Sequence, residues 1–110
     1  MFETMEVTCA DVRARLDSGS EFLLLDCREQ SEWDGGHIDG AQLIPMSQLR
    51  ERLGELEAWK GQEIIVYCHH GGRSLRVTGF LRQNQFPSTW SMAGGIDQWS
   101  VEIDPTIPRY

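Results

Sequence analysis

The segment Cys68-His69-His70-Gly71-Gly72-Arg73-Ser74 combines a thiol, two imidazoles, paired glycines and a guanidinium within seven consecutive residues. A thiol attacks only as the thiolate, and a free cysteine with a pKa of about 8.5 is mostly protonated at neutral pH. The spacing here offers a way to hold the anion. Gly71 and Gly72 let the backbone pass through positive φ, so that successive N–H groups can turn onto one sulfur as an anion-binding nest. A helix predicted to start at Ser74 adds the partial positive charge of its N-terminus. Lowering the pKa by two units requires about 2.7 kcal/mol, which the amides and the helix end can supply together. Arg73 can hold the anionic oxygens of a substrate or keep the loop in shape. A buried core cysteine is the plainer reading of any single Cys. A Gly-Gly-Arg turn directly after it is poor packing chemistry, so Cys68 reads as a reactive nucleophile.

Cys9, Cys27 and Cys68 are odd in number and form no Cys-x-x-Cys pair, which leaves neither a disulfide framework nor a four-thiolate zinc site. Cys68, His69, His70 and His37 are metal-ligand types, but adjacent histidines rarely converge on one ion and no ligand spacing supports a site, so no metal is expected. Asp26 and Arg28 read as a buried ion pair that supports the structure, and His37 as a structurally satisfied histidine. Trp33, Trp59, Trp90 and Trp99 read as packing residues.

These candidates need elements to position them. Thr8-Cys9-Ala10-Asp11 has the form of a capping box, opening a short helix whose apolar face is Ala10, Val12 and Leu16. Phe22-Leu23-Leu24-Leu25 is an apolar run of strand length that ends at the polar group Asp26-Cys27-Arg28-Glu29. A helical turn is predicted over Glu29 to Trp33, and a second short strand over Ala41-Gln42-Leu43-Ile44, closed by Pro45. Ser47 caps a predicted helix carrying Leu49, Leu53 and Leu56. Ile64-Ile65-Val66-Tyr67 reads as a central strand, Ser74 to Asn84 as a helix, and Thr89-Trp90-Ser91-Met92 as a last strand. Strands alternating with helices imply right-handed crossovers and a mostly parallel sheet covered on both faces. In such sheets ligands bind beyond the carboxyl ends of the strands, where the loops after Leu25 and Tyr67 both lie.

With 110 residues the chain suits one domain, a core over about 5–100 and an extended tail over 101–110 that either wraps the domain or docks elsewhere. Hydrophobic residues at 40% and charged residues at 25% fit an ordinary globular protein. The net charge of −7 disfavours nucleic acid or an anionic membrane as a partner. No apolar run reaches membrane-spanning length, and Met1-Phe2-Glu3-Thr4 lacks the pattern of a signal peptide, so a cytoplasmic location is expected.

Cys68, Gly71, Arg73 and Ser74 resemble the active loop of the rhodanese family, commonly Cys-x-x-Gly-x-Arg-Ser. Leu25-Asp26-Cys27-Arg28-Glu29 with Glu32-Trp33, and Gly36-His37-Ile38-Asp39-Gly40-Ala41 through Ile44-Pro45, look like the family's first signature. Met92-Ala93-Gly94-Gly95-Ile96-Asp97-Gln98-Trp99 looks like its C-terminal one. The resemblance implies a five-stranded, mostly parallel α/β sheet with helices on both faces. It also implies a sulfurtransferase in which Cys68 takes sulfane sulfur from thiosulfate or a persulfide donor and passes it to a thiol, cyanide or a protein acceptor. Cys68 would carry the persulfide, and the backbone amides from His69 to Ser74 would hold its outer sulfur. Neither a metal nor an organic cofactor is implied. The family often has Val or Ile at the position of Cys27, which is read as a packed residue. The side chains of His69 and His70, in variable loop positions, are expected to face solvent and tune substrate choice. Two rivals are a phosphatase or arsenate reductase of the same fold, and a sulfur-relay or binding module without turnover of its own. The oxyanion enzymes carry five residues between Cys and Arg where this loop has four. Donor, acceptor and oligomeric state are not encoded in any motif.

Overall fold

The computed structural model describes residues 4–110, so Met1 to Glu3, part of the N-terminal reading above, lie outside the described residues. Five strands, β1 (Glu6–Val7), β2 (Leu23–Asp26), β3 (Gln42–Leu43), β4 (Ile64–Tyr67) and β5 (Thr89–Met92), form one sheet in the order β1-β5-β4-β2-β3. Every pairing is parallel. The two central strands, β2 and β4, are buried along their whole length, which is why they read as unbroken apolar runs.

Alternation along those strands divides the core into two layers. Leu23, Leu25, Ile64 and Val66 point to one side, where Val77 and Leu81 of helix α3 (Gly72–Gln83) cover them together with Leu49, Leu56 and Phe86. Leu24, Ile65 and Tyr67 point to the other side, against Val12 of α1 (Cys9–Ser18) and Ile96 and Trp99 of α4 (Gly95–Glu102). The short helix α2 (Gln30–Gly35) follows β2 and brings Glu32 beside the loop after β4.

Several local expectations are corrected. The Thr8 capping box is present, but the inward face of α1 is Cys9, Val12 and Leu16; Ala10 is exposed, one residue out of phase with the core stripe. The helix predicted from Ser47 is replaced by two 3-10 turns, Met46–Gln48 and Leu53–Trp59, which still bury Leu49 and Leu56. Gly54 lies within the second turn, where an α-helix would lose about 1 kcal/mol relative to alanine. Strand β1 and helix α4 are additional elements that no local pattern predicts. The tail is not extended throughout: Val101 and Glu102 finish α4, and the chain then turns so that Ile107 is buried and the Ser100 hydroxyl donates to its carbonyl.

Asp26 ends β2 rather than opening the loop, and its carboxylate pairs with Arg28 while both side chains are fully buried. Arg28 Nε donates to both carboxylate oxygens at 3.0 and 3.1 Å, Nη2 donates to Oδ2 at 2.7 Å, and the Arg28 amide donates to Oδ1 at 2.9 Å. Nη2 also donates to the Gly36 carbonyl at 2.8 Å, tying the end of α2 to the sheet. Removing one member of such a pair leaves a buried charge uncompensated. Arg28→Ala is expected to lower the unfolding free energy by about 3–5 kcal/mol, read by urea denaturation; a loss under about 1 kcal/mol would contradict the burial described.

Candidate active site

The register pairs Asp26 with Tyr67, and the Cys27 amide donates to the Tyr67 carbonyl at 3.1 Å, so Cys27 and Cys68 leave the sheet side by side. Both belong to the α3-side core layer. Cys68 is 1% exposed at the end of β4, and the chain then passes through Gly71 at φ +114° and enters α3. That glycine conformation turns the backbone back over the sulfur. The amides of Gly71 and Ser74 donate to Cys68 Sγ at 3.1 and 3.3 Å, and the Ser74 hydroxyl lies 3.4 Å from it. Ser74 Oγ is itself held by the Gly71 carbonyl at 3.1 Å and by Ser91 Oγ of β5 at 2.7 Å.

This environment pulls the Cys68 pKa down to about 4. The neighbouring Cys27 thiol contributes most, burial opposes it, and the Ser74 hydroxyl and the Ser74 and Gly71 amides add to the lowering. Cys27 moves in the opposite direction, its thiol raised by the adjacent Cys68 sulfur and by burial. Burial and the nearby Glu102 carboxylate push the Cys9 thiol up to about 11. Of the three buried thiols, only Cys68 is shifted toward the thiolate.

Arg73 does not point into open space. Its Nη1 and Nη2 donate to the two carboxylate oxygens of Glu32 at 2.7 and 2.9 Å, and that guanidinium holds the Glu32 pKa at about 2. The Tyr110 hydroxyl donates to Glu32 Oε2 at 2.6 Å and accepts from Arg28 Nη1 at 3.0 Å. A continuous polar chain therefore runs from Asp26 through Arg28, Tyr110 and Glu32 to Arg73.

Of the histidines, His69 differs from expectation. His70 is exposed, but the His69 ring is stacked between His70 and Tyr110 at centroid distances of 3.8 Å, and its Nε2 is buried without a partner among the described residues. Two aromatic neighbours take His69 out of solvent, which no local pattern signals. His37 stacks on Trp33 at 3.6 Å, with its Nδ1 3.2 Å from the Trp33 carbonyl. His69, His70 and Asp97 bring potential ligand atoms within 4.8 Å of one another. Asp97 already accepts from Arg109 at 2.9 and 3.2 Å, so an arriving cation would compete with a guanidinium. Cys68, His69, His70, Gly72, Arg73 and Arg76 line an open cavity of about 330 Å³.

The far wall of the loop is the start of α4. Ile96 and Asp97 amides donate to the Cys68 and His69 carbonyls at 2.8 and 3.1 Å. Gly95, at φ +61°, lies so close that a Cβ there would fall 2.5 Å from the Cys68 oxygen. Glu32, Ser91, Gly95 and Tyr110 thus join the site without having been singled out from the sequence. Only Glu32 and Gly95 carried any signal there, as members of the quoted signatures.

The sequence is 33% identical to the adenylyltransferase and sulfurtransferase MOCS3-1 of Zea mays over 98% of this chain and 24% of that protein. It is 32% identical to the tRNA uridine(34) hydroxylase of Escherichia coli O139:H28 over 83% of this chain and 27% of that one. The chain spans about a quarter of the length of these curated relatives. Among solved structures, the human single-domain sulfurtransferase TSTD1 superposes with a TM-score of 0.79 at 26% identity, covering 91% of this chain and 98% of the other. With residues 8–102 matching the family's sequence model and the fold matching its solved members, this chain belongs to the rhodanese-like domain family.

Proposed function

We propose that the protein is a sulfurtransferase whose Cys68 thiolate attacks the outer sulfur of thiosulfate or of a persulfide donor. With thiosulfate, the new S–S bond takes the electron pair of the thiolate, and the cleaved S–S bond leaves sulfite with its own pair. Cys68 then carries a persulfide anion. An acceptor thiolate or cyanide attacks that outer sulfur, taking it as a persulfide or thiocyanate and returning Cys68 as thiolate. No net oxidation and no cofactor enter this balance.

The observation that carries the reading is the Cys68 sulfur, buried, accepting two loop amides, and placed at the floor of an open cavity. His69, His70, Gly72 and Arg73 line the space where the outer sulfur and the donor would sit. Arg73, neutralised by Glu32, acts on this reading chiefly to hold the loop. The family membership and sulfurtransferase relatives support sulfur transfer in general; thiosulfate as donor is our reading. The oxyanion rivals lose ground because four residues, not five, separate Cys68 from Arg73. Wild-type protein should show negligible hydrolysis of an aryl phosphate and negligible reduction of arsenate. Activity on either without a persulfide detectable by intact mass would overturn the reading in their favour.

Thiosulfate should add the mass of one sulfur atom to the intact protein, and cyanide should remove it. Cys68→Ser should abolish both the mass change and turnover, while Cys9→Ser and Cys27→Ser keep most activity. A comparable loss in Cys27→Ser would mean that one nucleophilic thiol is not enough.

The depressed Cys68 pKa has a direct kinetic signature. A thiol with an ordinary pKa loses alkylation rate as pH falls below about 8.5. Cys68, with its pKa near 4, should instead keep a nearly flat iodoacetamide rate from pH 9 down to pH 6. Cys27→Val removes a donor and should move the midpoint upward, whereas Cys27→Ser should move it less. A wild-type midpoint at or above 8 would mean that the amide cradle does not form.

Glu32→Ala frees Arg73 from its bidentate partner. It is expected to slow persulfide formation several-fold without a comparable fall in melting temperature, because the pair is partly exposed and contributes little to stability. An unchanged loading rate, followed by intact mass, would remove Arg73 from the positioning role.

A further inference from the structure

Beside the Cys68 cavity lies a second one of about 200 Å³, lined by Met46, Leu49, Arg50, Arg76, Val77 and Phe80. Arg76 lines both, so the two form one continuous surface from the reactive sulfur along α3 to the turn after β3. The second cavity has an apolar floor: Leu49 and Val77 are core residues, and Met46 and Phe80 pack against that core while remaining partly accessible.

Its rim is cationic in a chain of net charge −7. Arg13, Arg15, Arg28, Arg52, Lys60, Arg73 and Arg109 each have a carboxylate partner. Among the described residues Arg50, Arg76 and Arg82 have none. Arg82 is spent elsewhere, donating to the Thr89 carbonyl at 2.9 Å and lying 4.7 Å over the Trp90 ring. The two remaining free guanidinium groups are exposed and both line this cavity, Arg50 lying 5.5 Å over the Phe80 ring. Because Glu32 neutralises Arg73, Arg76 is the unpaired cation nearest the sulfur's cavity.

We propose that this groove is a docking subsite for a protein that exchanges sulfur with Cys68. It would take a segment in which carboxylates flank one apolar side chain. The apolar side chain would fill the floor between Leu49, Val77 and Phe80, the carboxylates would meet Arg50 and Arg76, and the partner's thiol would enter the adjoining Cys68 cavity. The apolar floor selects this occupant over a small anionic thiol, which has charge for the arginines but nothing to bury. The proposal rests on Cys68 being the sulfur carrier.

The test uses acetyl-Cys-Gly-Glu-Leu-Glu-amide, with Lys-Leu-Lys and Glu-Ala-Glu counterparts, and a fluorescent version of the first with serine in place of cysteine. Binding of the serine peptide is followed by anisotropy, and sulfur acceptance from thiosulfate-loaded protein is followed by mass. The Glu-Leu-Glu peptide should bind and accept sulfur better than both counterparts. Arg50→Glu with Arg76→Glu should weaken its binding about tenfold, the effect of two exposed ion pairs. The same double variant should bind the Lys-Leu-Lys peptide better than wild type does. Equal behaviour of the three peptides on a protein that loads sulfur normally would overturn the docking proposal and leave the transfer reading intact. Discriminating binding on a protein that never gains sulfur would overturn the transfer reading, and with it the groove's role in sulfur exchange. Should the double variant lose the folded circular dichroism spectrum, the exposed single variants Arg50→Gln and Arg76→Gln take its place, each expected to weaken binding of the Glu-Leu-Glu peptide; folded single variants that both bind it as wild type does would overturn the proposal.

Discussion

A sulfur atom excluded from water can hold a negative charge only where fixed dipoles take the place of solvent. Cys68 meets that constraint with main-chain groups, and much of the molecule is arranged to aim them. The Gly71 and Ser74 amides converge on Sγ only because the chain leaves β4, reverses at a left-handed glycine and enters α3 within four residues. Ser91 on the neighbouring strand fixes the Ser74 hydroxyl, so the β4–β5 pairing also reaches the sulfur. Cys27 reaches it from the opposite flank through the β2–β4 register. The central strand thus has a neighbour contributing to the anion on each side.

The polar chain from Asp26 to Arg73 performs the matching task for the positive charges. Arg28 is anchored to the sheet by a fully buried carboxylate, and Arg73 is anchored to α2 by Glu32. Tyr110 joins the two anchors through a single hydroxyl and covers His69 with its ring. A guanidinium held in this way faces the Glu32 carboxylate, with both Nη atoms occupied.

How much of this the sequence discloses depends on how local the cause is. The strands β2 and β4 are legible because burial on both faces demands continuous apolar runs, and β5 because the β-branched and aromatic pair Thr89-Trp90 stands shortly before the turn signal Gly94-Gly95. Cys68 and its glycines are legible because a sharp turn and a nucleophile occupy adjacent positions. Strand β1 is two residues long and owes its existence to pairing with Ser91 and Met92, which no local pattern encodes. Helix α4 hides behind Gly94 and Gly95, which look like a turn but supply the left-handed entry to a helix. Tyr110 reaches the site only because the segment after α4 folds back, 42 positions after Cys68 in the chain. The stacking of His69 follows from that return and has no signal of its own.

Gly95 links a local geometry to the chemistry of a loop more than twenty residues before it. A peptide unit is planar and trans, so its carbonyl and its N–H face opposite ways. The first-turn amides of α4 capture the Cys68 and His69 carbonyls, and this capture is possible only because no side chain stands at Gly95. The N–H groups of His69 and His70 are thereby committed to the side away from α4. The orientation of these two dipoles is set by a hydrogen atom standing where any other amino acid would place carbon. The Cys68 loop is in this sense a cast whose mould is the bare backbone of another helix, and a single added methyl group would spoil the impression by pressing on the main-chain oxygens of Cys68 and His69 while leaving every side chain of the loop in place.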